Sequence, residues 1–336
     1  MVLNKQILGK WLGIVLGTLA AGPGCAGDFQ DNADVSVFID EMVDKHKFKR
    51  EELVLLFDQA SKRDDILEAI SRPAEKTKPW YEYRKIFLKP ARIDGGVEFW
   101  TDNADIIQRA ADAFGVDPAI IVAIIGVETR YGSNTGSYRV IDALSTLAFE
   151  YPPRSKFFRS ELEQFLLLAR EEDVDRSSAK GSYAGAMGYG QFIPSSYRAY
   201  AVDFSKDGKR DLWNNLEDII GSVANYFSRH GWVQGAPVAA VINSGSPLAH
   251  FKVSESLKPG QTSAGDYAAK GVTTRPALPA DMAVSLLELE QADAPEFWLT
   301  GKNFYVITRY NRSPLYAMAV YQLSEAIRDA YQKTAK

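Results

Sequence analysis

Pro118-Ala119-Ile120-Ile121-Val122-Ala123-Ile124-Ile125-Gly126-Val127-Glu128-Thr129-Arg130-Tyr131-Gly132 is the stretch on which the fold turns. From Pro118 to Val127 no side chain is polar. Such a run behind an Asp-Pro pair reads as a buried helix, with Asp117 as N-cap and Pro118 at the first helical position. Gly132 is the expected C′ stop. Glu128 then sits in the last turn. Desolvation and the partial negative charge of a helix C-terminus both disfavour its ionised form there. A carboxyl kept protonated near neutral pH can serve as a general acid. Taken alone, the same residues read more simply as the place where a helix surfaces, with Arg130 pairing the glutamate.

Outward from this stretch, 336 residues with 46% hydrophobic content can bury a sizeable core and more than one structural unit. Net charge is −4 and no Lys/Arg run is present, which argues against nucleic acid as a partner. The aromatic content would suit carbohydrate stacking, although most of these rings are expected in the core. Lys5 and Lys10 precede an apolar stretch, residues 11–21. It falls short of the roughly 20 residues that span a bilayer and fits a secretory signal peptide, residues 1–24. Cys25, the only cysteine, resembles the lipidated cysteine of bacterial lipoproteins, although Gly22 stands where such sites usually carry Leu. Ordinary cleavage near Ala20 or Ala21 is the competing reading. Ala26 after Cys25 lacks the Asp that often retains lipoproteins at the inner membrane. A periplasmic protein anchored to the outer membrane is expected.

Residues 28–75 carry helical periodicity in two sets: Val35, Phe38, Ile39, Met42 and Val43, then Leu53, Leu56, Phe57, Ile66, Leu67 and Ile70. Residues 76–83 read as a polar connection. Helices are predicted over 102–114, 162–169, 216–229 and 317–333. After Trp232 the chain becomes rich in Gly, Pro, Ser and Ala. Residues 282–289 partly alternate, 304–308 look β-prone, and Thr300-Gly301-Lys302-Asn303 reads as a hairpin turn. A small β unit within a mainly helical protein follows.

A second cluster, Gly181-Ser182-Tyr183-Ala184-Gly185-Ala186-Met187-Gly188-Tyr189-Gly190-Gln191-Phe192-Ile193-Pro194-Ser195-Ser196-Tyr197, lies just over fifty residues after Glu128. Its glycines let the backbone approach a ligand or another element closely. Gln191 can donate and accept, as an N-acetyl group or sugar hydroxyl requires. The plainer reading is a glycine-rich turn before a helix capped by Ser195 or Ser196.

Taken together, Gly126 to Gly132, Gly181 to Tyr197, Leu212-Trp213 through Gly221-Ser222-Val223-Ala224-Asn225-Tyr226-Phe227, and Asn303 through Asn311 closely resemble the membrane-bound lytic murein transglycosylase B family. The resemblance covers roughly residues 30–330. It implies a mainly α (α+β) fold: a lysozyme-like core (101–232), an added helical domain (28–100), a small β-containing domain (233–310), and a C-terminal helix returning to the helical part (311–336). It also implies cleavage of the β-1,4 bond between N-acetylmuramic acid and N-acetylglucosamine, leaving 1,6-anhydro-muramyl ends. Glu128 matches the single catalytic glutamate, acting first as acid and then as base. The substrate's own C6 hydroxyl replaces water, so no second carboxylate is needed. By the same resemblance Tyr83, Ser182, Gln191, Tyr226, Tyr310, Asn311 and Tyr316 bind substrate, although each tyrosine also reads as a core aromatic. The implied partners are peptidoglycan strands, the outer membrane and cell-wall synthases, with the protein a monomer. A lysozyme-type hydrolase and a murein-binding scaffold are the alternatives.

Residues 203–218 resemble an EF-hand loop. Asp203, Ser205 and Asp207 fall at positions one, three and five, Gly208 at six, and the Lys209 carbonyl at seven. Position twelve is Asn214 rather than Glu, and the family's later carboxylate would be Asp218. An extra residue near Asn214-Asn215, with Lys206, Lys209 and Arg210, weakens calcium binding, and a metal-free acidic turn is the other reading. Any Ca²⁺ would be structural; no cofactor is required for the chemistry. Ser177-Ser178-Ala179-Lys180 matches a Ser-x-x-Lys pattern but lacks its companion elements. His46, His230 and His250 are scattered without zinc or triad spacing.

Overall fold

The computed structural model describes residues 27–71 and 78–334. The expected leader, residues 1–24, and Cys25 lie outside the described residues. Seven helices come first: α1 (Ala33–His46), α2 (Arg50–Asp58), α3 (Asp64–Ser71), α4 (Trp80–Phe87), α5 (Pro90–Asp102), α6 (Ala104–Phe114) and α7 (Pro118–Thr129). Then follow β1 (Tyr138–Arg139), α8 (Val140–Glu150), α9 (Ser155–Glu171), β2 (Lys180–Gly181), α10 (Pro194–Tyr200) and α11 (Leu216–Arg229). The chain ends with β3 (Ala239–Ile242), α12 (Ala264–Ala268), β4 (Thr274–Arg275), β5 (Ser285–Leu289), β6 (Glu296–Thr300), α13 (Lys302–Tyr310) and α14 (Pro314–Thr334). The protein is mainly helical with small sheets.

Helix α7 is the axis of the molecule. Ten of its twelve residues are buried. Fully burying each isoleucine contributes about 1.5–3 kcal/mol relative to exposure. With apolar groups on every side, α7 has no preferred face and is stable only when neighbours cover all of it. Helices α4, α5 and α13 pack on α14, and α14 and α5 in turn pack on α7. The Asp117 side chain accepts from the Ala119 N–H at 2.9 Å, capping the helix as its sequence predicts. The stop comes earlier than Gly132. Arg130 and Tyr131 both take left-handed backbone, φ 51° and 59°, and the Arg130 and Tyr131 N–H groups close on the Gly126 and Ile125 carbonyls. The glycine signal was therefore displaced two residues from the turn it marks.

One hydrophobic cluster runs from Phe29 through α7 to Ile327, joining the N-terminal helices to the rest. The antiparallel sheet, in order β4-β3-β6-β5, shields a separate cluster that includes Ile242, Tyr267, Val272, Leu286 and Leu299.

Four sequence expectations need correction. Residues 304–308 are not a strand, and 300–303 is not a hairpin turn. Strand β6 ends at Thr300, and α13 begins at Lys302. The β-branched residues there follow tertiary packing, since Phe304, Ile307 and Thr308 are buried at helical spacing. Fully buried Asn303 fixes the entry, accepting from Val233 N–H at 2.8 Å and donating to the Val233 and Ala236 carbonyls. The true hairpin joins β5 to β6. The predicted connection 76–83 gives way to α4 at Trp80, whose Trp80, Tyr83 and Phe87 recur at helical spacing. Finally, neither Ser195 nor Ser196 caps α10. Buried Glu161 of α9 accepts the Ser195 N–H at 2.9 Å and its hydroxyl at 2.7 Å. A carboxylate there complements the positive end of the helix.

Candidate active site

Glu128 emerges half-buried where α7 ends, and one of its carboxylate oxygens accepts the hydroxyl of Tyr316. Tyr316 is 3% exposed, in the first turns of α14. Burial, then the charge of Glu128 and the nearby Tyr310, drive its phenol well above the ordinary tyrosine range. Tyr316 therefore remains a neutral donor to the glutamate across the working pH range. Tyr83 of α4 also lies within electrostatic reach of Tyr316, and its ring packs 5.3 Å from that of Phe87.

The glycine cluster folds as a tight hairpin. Met187 and Phe192 exchange backbone hydrogen bonds of 2.9 and 3.0 Å, with Gly188 at φ 67° and Gln191 at φ 50°. Only glycine serves at 188, because a Cβ there would meet the Leu212 carbonyl oxygen at 2.1 Å. Two contacts hold this hairpin, one from the end of α7 and one from the end of α13. The Thr129 hydroxyl lies 3.0 Å from the Tyr189 carbonyl and receives the Gly132 N–H at 3.0 Å. The Tyr310 hydroxyl donates to the Gly190 carbonyl at 2.6 Å.

The other residues singled out by sequence take more structural positions. The Gln191 amide donates to the Thr135 and Gly188 carbonyls at 3.1 and 3.0 Å, so its nitrogen works inside the fold. Ser182 Oγ accepts the Ala186 N–H at 3.1 Å. The Asn311 side-chain oxygen accepts the Ser313 N–H at 3.1 Å just before α14 begins. Tyr226 is buried, and its hydroxyl donates to the Arg309 carbonyl at 2.6 Å. Its ring lies 4.7 Å from Tyr310 and 4.1 Å from His230. It buttresses Tyr310.

Several participants escaped the sequence reading. Arg92 is buried and donates to the Gly126 carbonyl at 3.2 Å, and Tyr131 donates to the Arg92 carbonyl at 2.7 Å. The Tyr131 phenol occupies a nest in which a Cβ at Gly96 or Gly126 would meet its oxygen at 2.6 or 2.5 Å. An arginine donating to a carbonyl in the last turn of α7 compensates the negative helix end. No periodic pattern announces it. Arg130, expected as a partner for Glu128, instead faces a cavity shared with Arg92.

The end of α7 thus brings together a half-buried carboxylate, a buried phenol that donates to it, and the nearby glycine hairpin. The family described as the transglycosylase SLT domain matches residues 30–325. The chain belongs to the transglycosylase SLT family. It is 47% identical over 90% of its length to the membrane-bound lytic murein transglycosylase B of Escherichia coli (strain K12), covering 84% of that protein. The soluble lytic transglycosylase SltB1 of Pseudomonas aeruginosa has a similar structure: TM-score 0.81 and 52% identity, covering 88% of this chain and 99% of that one. The Escherichia coli lytic transglycosylase SLT35, solved in complex with calcium, gives 0.81 at 46% identity, covering 91% of this chain and 96% of that one.

In this transglycosylase the acidic loop gathers three carboxylates. Oxygens of Asp203, Asp207 and Asp218 lie within 4.8 Å of one another. Fully buried Asp218 accepts the Phe204, Ser205 and Asp211 N–H groups at 2.9, 3.0 and 2.9 Å. Asp203 accepts from Asp207 and Gly208 N–H at 3.1 and 2.9 Å. Against a desolvation that raises it, these donors and Ser205 hold the Asp203 carboxyl below its usual range. Ser205 Oγ lies 3.3 Å from Asp203, and the Lys209 ammonium turns away toward Asp173. Asn214, at the twelfth position, bonds Asp211 rather than the cluster. Each carboxylate keeps at least one oxygen, Oδ2 in Asp203 and Asp218, with a lone pair beyond the bond it accepts.

Proposed function

We propose that Glu128 is the single acid–base residue of this enzyme. The chain is a lytic transglycosylase acting on peptidoglycan. In this reading protonated Glu128 delivers its proton to the glycosidic oxygen between N-acetylmuramic acid and N-acetylglucosamine as the C1–O bond breaks. The resulting carboxylate then removes the proton from the muramyl C6 hydroxyl, whose oxygen bonds to C1 and closes the 1,6-anhydro ring. Acid and base are one group by microscopic reversibility. An internal nucleophile has a large advantage over water when it is held in place.

The observation that carries this assignment is the Tyr316–Glu128 hydrogen bond, which fixes the carboxylate at the exit of an otherwise apolar helix. Tyr316 would support the carboxylate during its turn as base. Tyr83, Ser182, Gln191, Tyr310 and Asn311 surround the substrate in this reading, and Tyr226 holds Tyr310 in position. Mass spectrometry of muropeptides released from purified murein is the test. Wild type should give products about 18 Da lighter than hydrolysed fragments. Glu128→Gln should lower their release by at least about a thousandfold while still sedimenting with murein. Near-normal release by the variant would remove Glu128 from this role.

The acidic loop is suited to a structural Ca²⁺ held by Asp203, Ser205, Asp207, the Lys209 carbonyl and Asp218, a set of hard oxygens. The solved calcium complex of a 46% identical relative supports this reading. We also infer attachment to the outer membrane through Cys25, supported by the name of the membrane-bound relative. Labelled palmitate should enter the wild type and not Cys25→Ala; equal labelling would discard the anchor.

A further inference from the structure

A cavity of about 550 Å³ lies between α5 and the turn that follows Glu128. Its wall includes Lys89, Arg92, Arg130 and Tyr131, with Glu98 and Asp102 also lining it. Arg92 is 9% exposed. Its guanidinium rests over the Phe87 ring at 5.1 Å and gives one N–H to the Gly126 carbonyl. A guanidinium carries five N–H donors. The remaining ones have no acceptor among the described residues, and Arg92 lines the cavity wall. Among the described residues neither Arg92 nor Arg130 makes an ion pair. Instead, desolvation and then the like charge of Arg130 hold Arg92 below the ordinary arginine range.

A buried cation that feels a second cation and makes no ion pair among the described residues is costly unless an anion arrives. We propose that this cavity binds a free carboxylate of the peptide stem that substrate strands carry on the muramyl residue. Arg92 and Arg130 form the anion seat, and Lys89 adds charge. Glu98 and Asp102 offer a place for an amino group of the same stem. The inference rests on peptidoglycan as the substrate. Reach is adequate. Arg130 is two residues from Glu128, at most roughly 8 Å along the backbone, while a stem of four or five residues extends up to roughly 14–18 Å. A bidentate guanidinium–carboxylate contact supplies both affinity and orientation.

The test compares strands bearing stems with strands stripped of them by an amidase. Wild type should cut stem-bearing strands with the higher kcat/KM. Arg130→Gln, and Lys89→Gln with Arg130→Gln, should lower that ratio about tenfold, chiefly through KM. Circular dichroism melts verify folding, and both positions are exposed. Isolated murein tetrapeptide should inhibit cutting of stem-bearing strands. Its carboxamide counterpart should not, and neither should inorganic phosphate at the same concentration. Equal loss on both strand types, or no loss, overturns the proposal. Inhibition by phosphate equal to that by the peptide would assign the cavity to small anions and overturn the stem assignment. Wild type cutting neither strand would instead overturn the enzymatic reading.

Discussion

At the residue scale the site depends on a difference in burial between partners. Tyr316 is fully sequestered and Glu128 is half-buried. Burial holds the phenol in its neutral form, so it can donate to the glutamate. Tyr316→Phe keeps the ring and removes the donor. A hydrogen bond to a charged group contributes about 1.5–3 kcal/mol, so kcat should fall roughly 10- to 100-fold. The Tm should move little, since no buried acceptor is left wholly without solvent. Steady-state kinetics on soluble muropeptide chains, beside a thermal melt, would decide it. An unchanged kcat would show that Tyr316 serves packing alone. Glu128 stood out in the sequence because ten apolar residues precede it. Arg92 did not, because an arginine among Pro90, Ala91 and Ile93 looks like an ordinary surface charge until α5 is seen against α7.

At the scale of elements, legibility followed periodicity. Helix α1 was readable because Val35, Phe38, Ile39 and Met42 repeat on one face and all are buried. Helix α13 was misread because Val306, Ile307 and Thr308 carry β-branched side chains whose weak local preference lost to packing. Helix α8 gave no amphipathic signal, since nine of its eleven residues are buried. Helix α11 makes a separate prediction at its C-cap, His230. Desolvation, more than the opposing hydrogen bond to the Tyr226 carbonyl, holds its imidazole below the ordinary value of 6.5. The folded state thus prefers neutral His230. No penalty exists above pH 6.5. It grows as pH falls through 6.5 toward the depressed folded value, because the unfolded chain takes the proton first. Calorimetry from pH 7 to 5 should show Tm falling more steeply in wild type than in His230→Gln. Parallel slopes would remove His230 as a source of acid sensitivity.

For the whole molecule, the shared core that joins the N-terminal helices to α7 and α14 makes remote stability changes relevant to the site. The acidic loop is one such lever, because Asp218 sits in the first turn of α11, which presents Tyr226 toward Tyr310. If Ca²⁺ occupies the loop, a free concentration a hundred times Kd stabilises the fold by about 2.7 kcal/mol. Chelation with EGTA should therefore lower Tm by several degrees, and Asp203→Asn should abolish the calcium response. A Tm indifferent to calcium in the wild type would return the loop to a metal-free turn. The family and the mainly helical architecture were legible because several motifs stand in order along one chain. The cavity beside Arg130 was not, since its walls come from residues forty positions apart.

The nest around Tyr131 also bears on how this chain can change over generations. Its phenol fills the space that a methyl group at Gly96 or Gly126 would need. A lineage acquiring alanine at Gly126 must first shorten residue 131, and at Gly96 Ile327 must give way as well; shortening 131 alone frees the Arg92 carbonyl and opens a void beneath α7. Neither step is neutral by itself. Gly126 and Tyr131, and Gly96 with Tyr131 and Ile327, should therefore be inherited together, with single exchanges tolerated only in backgrounds that already carry the partner changes.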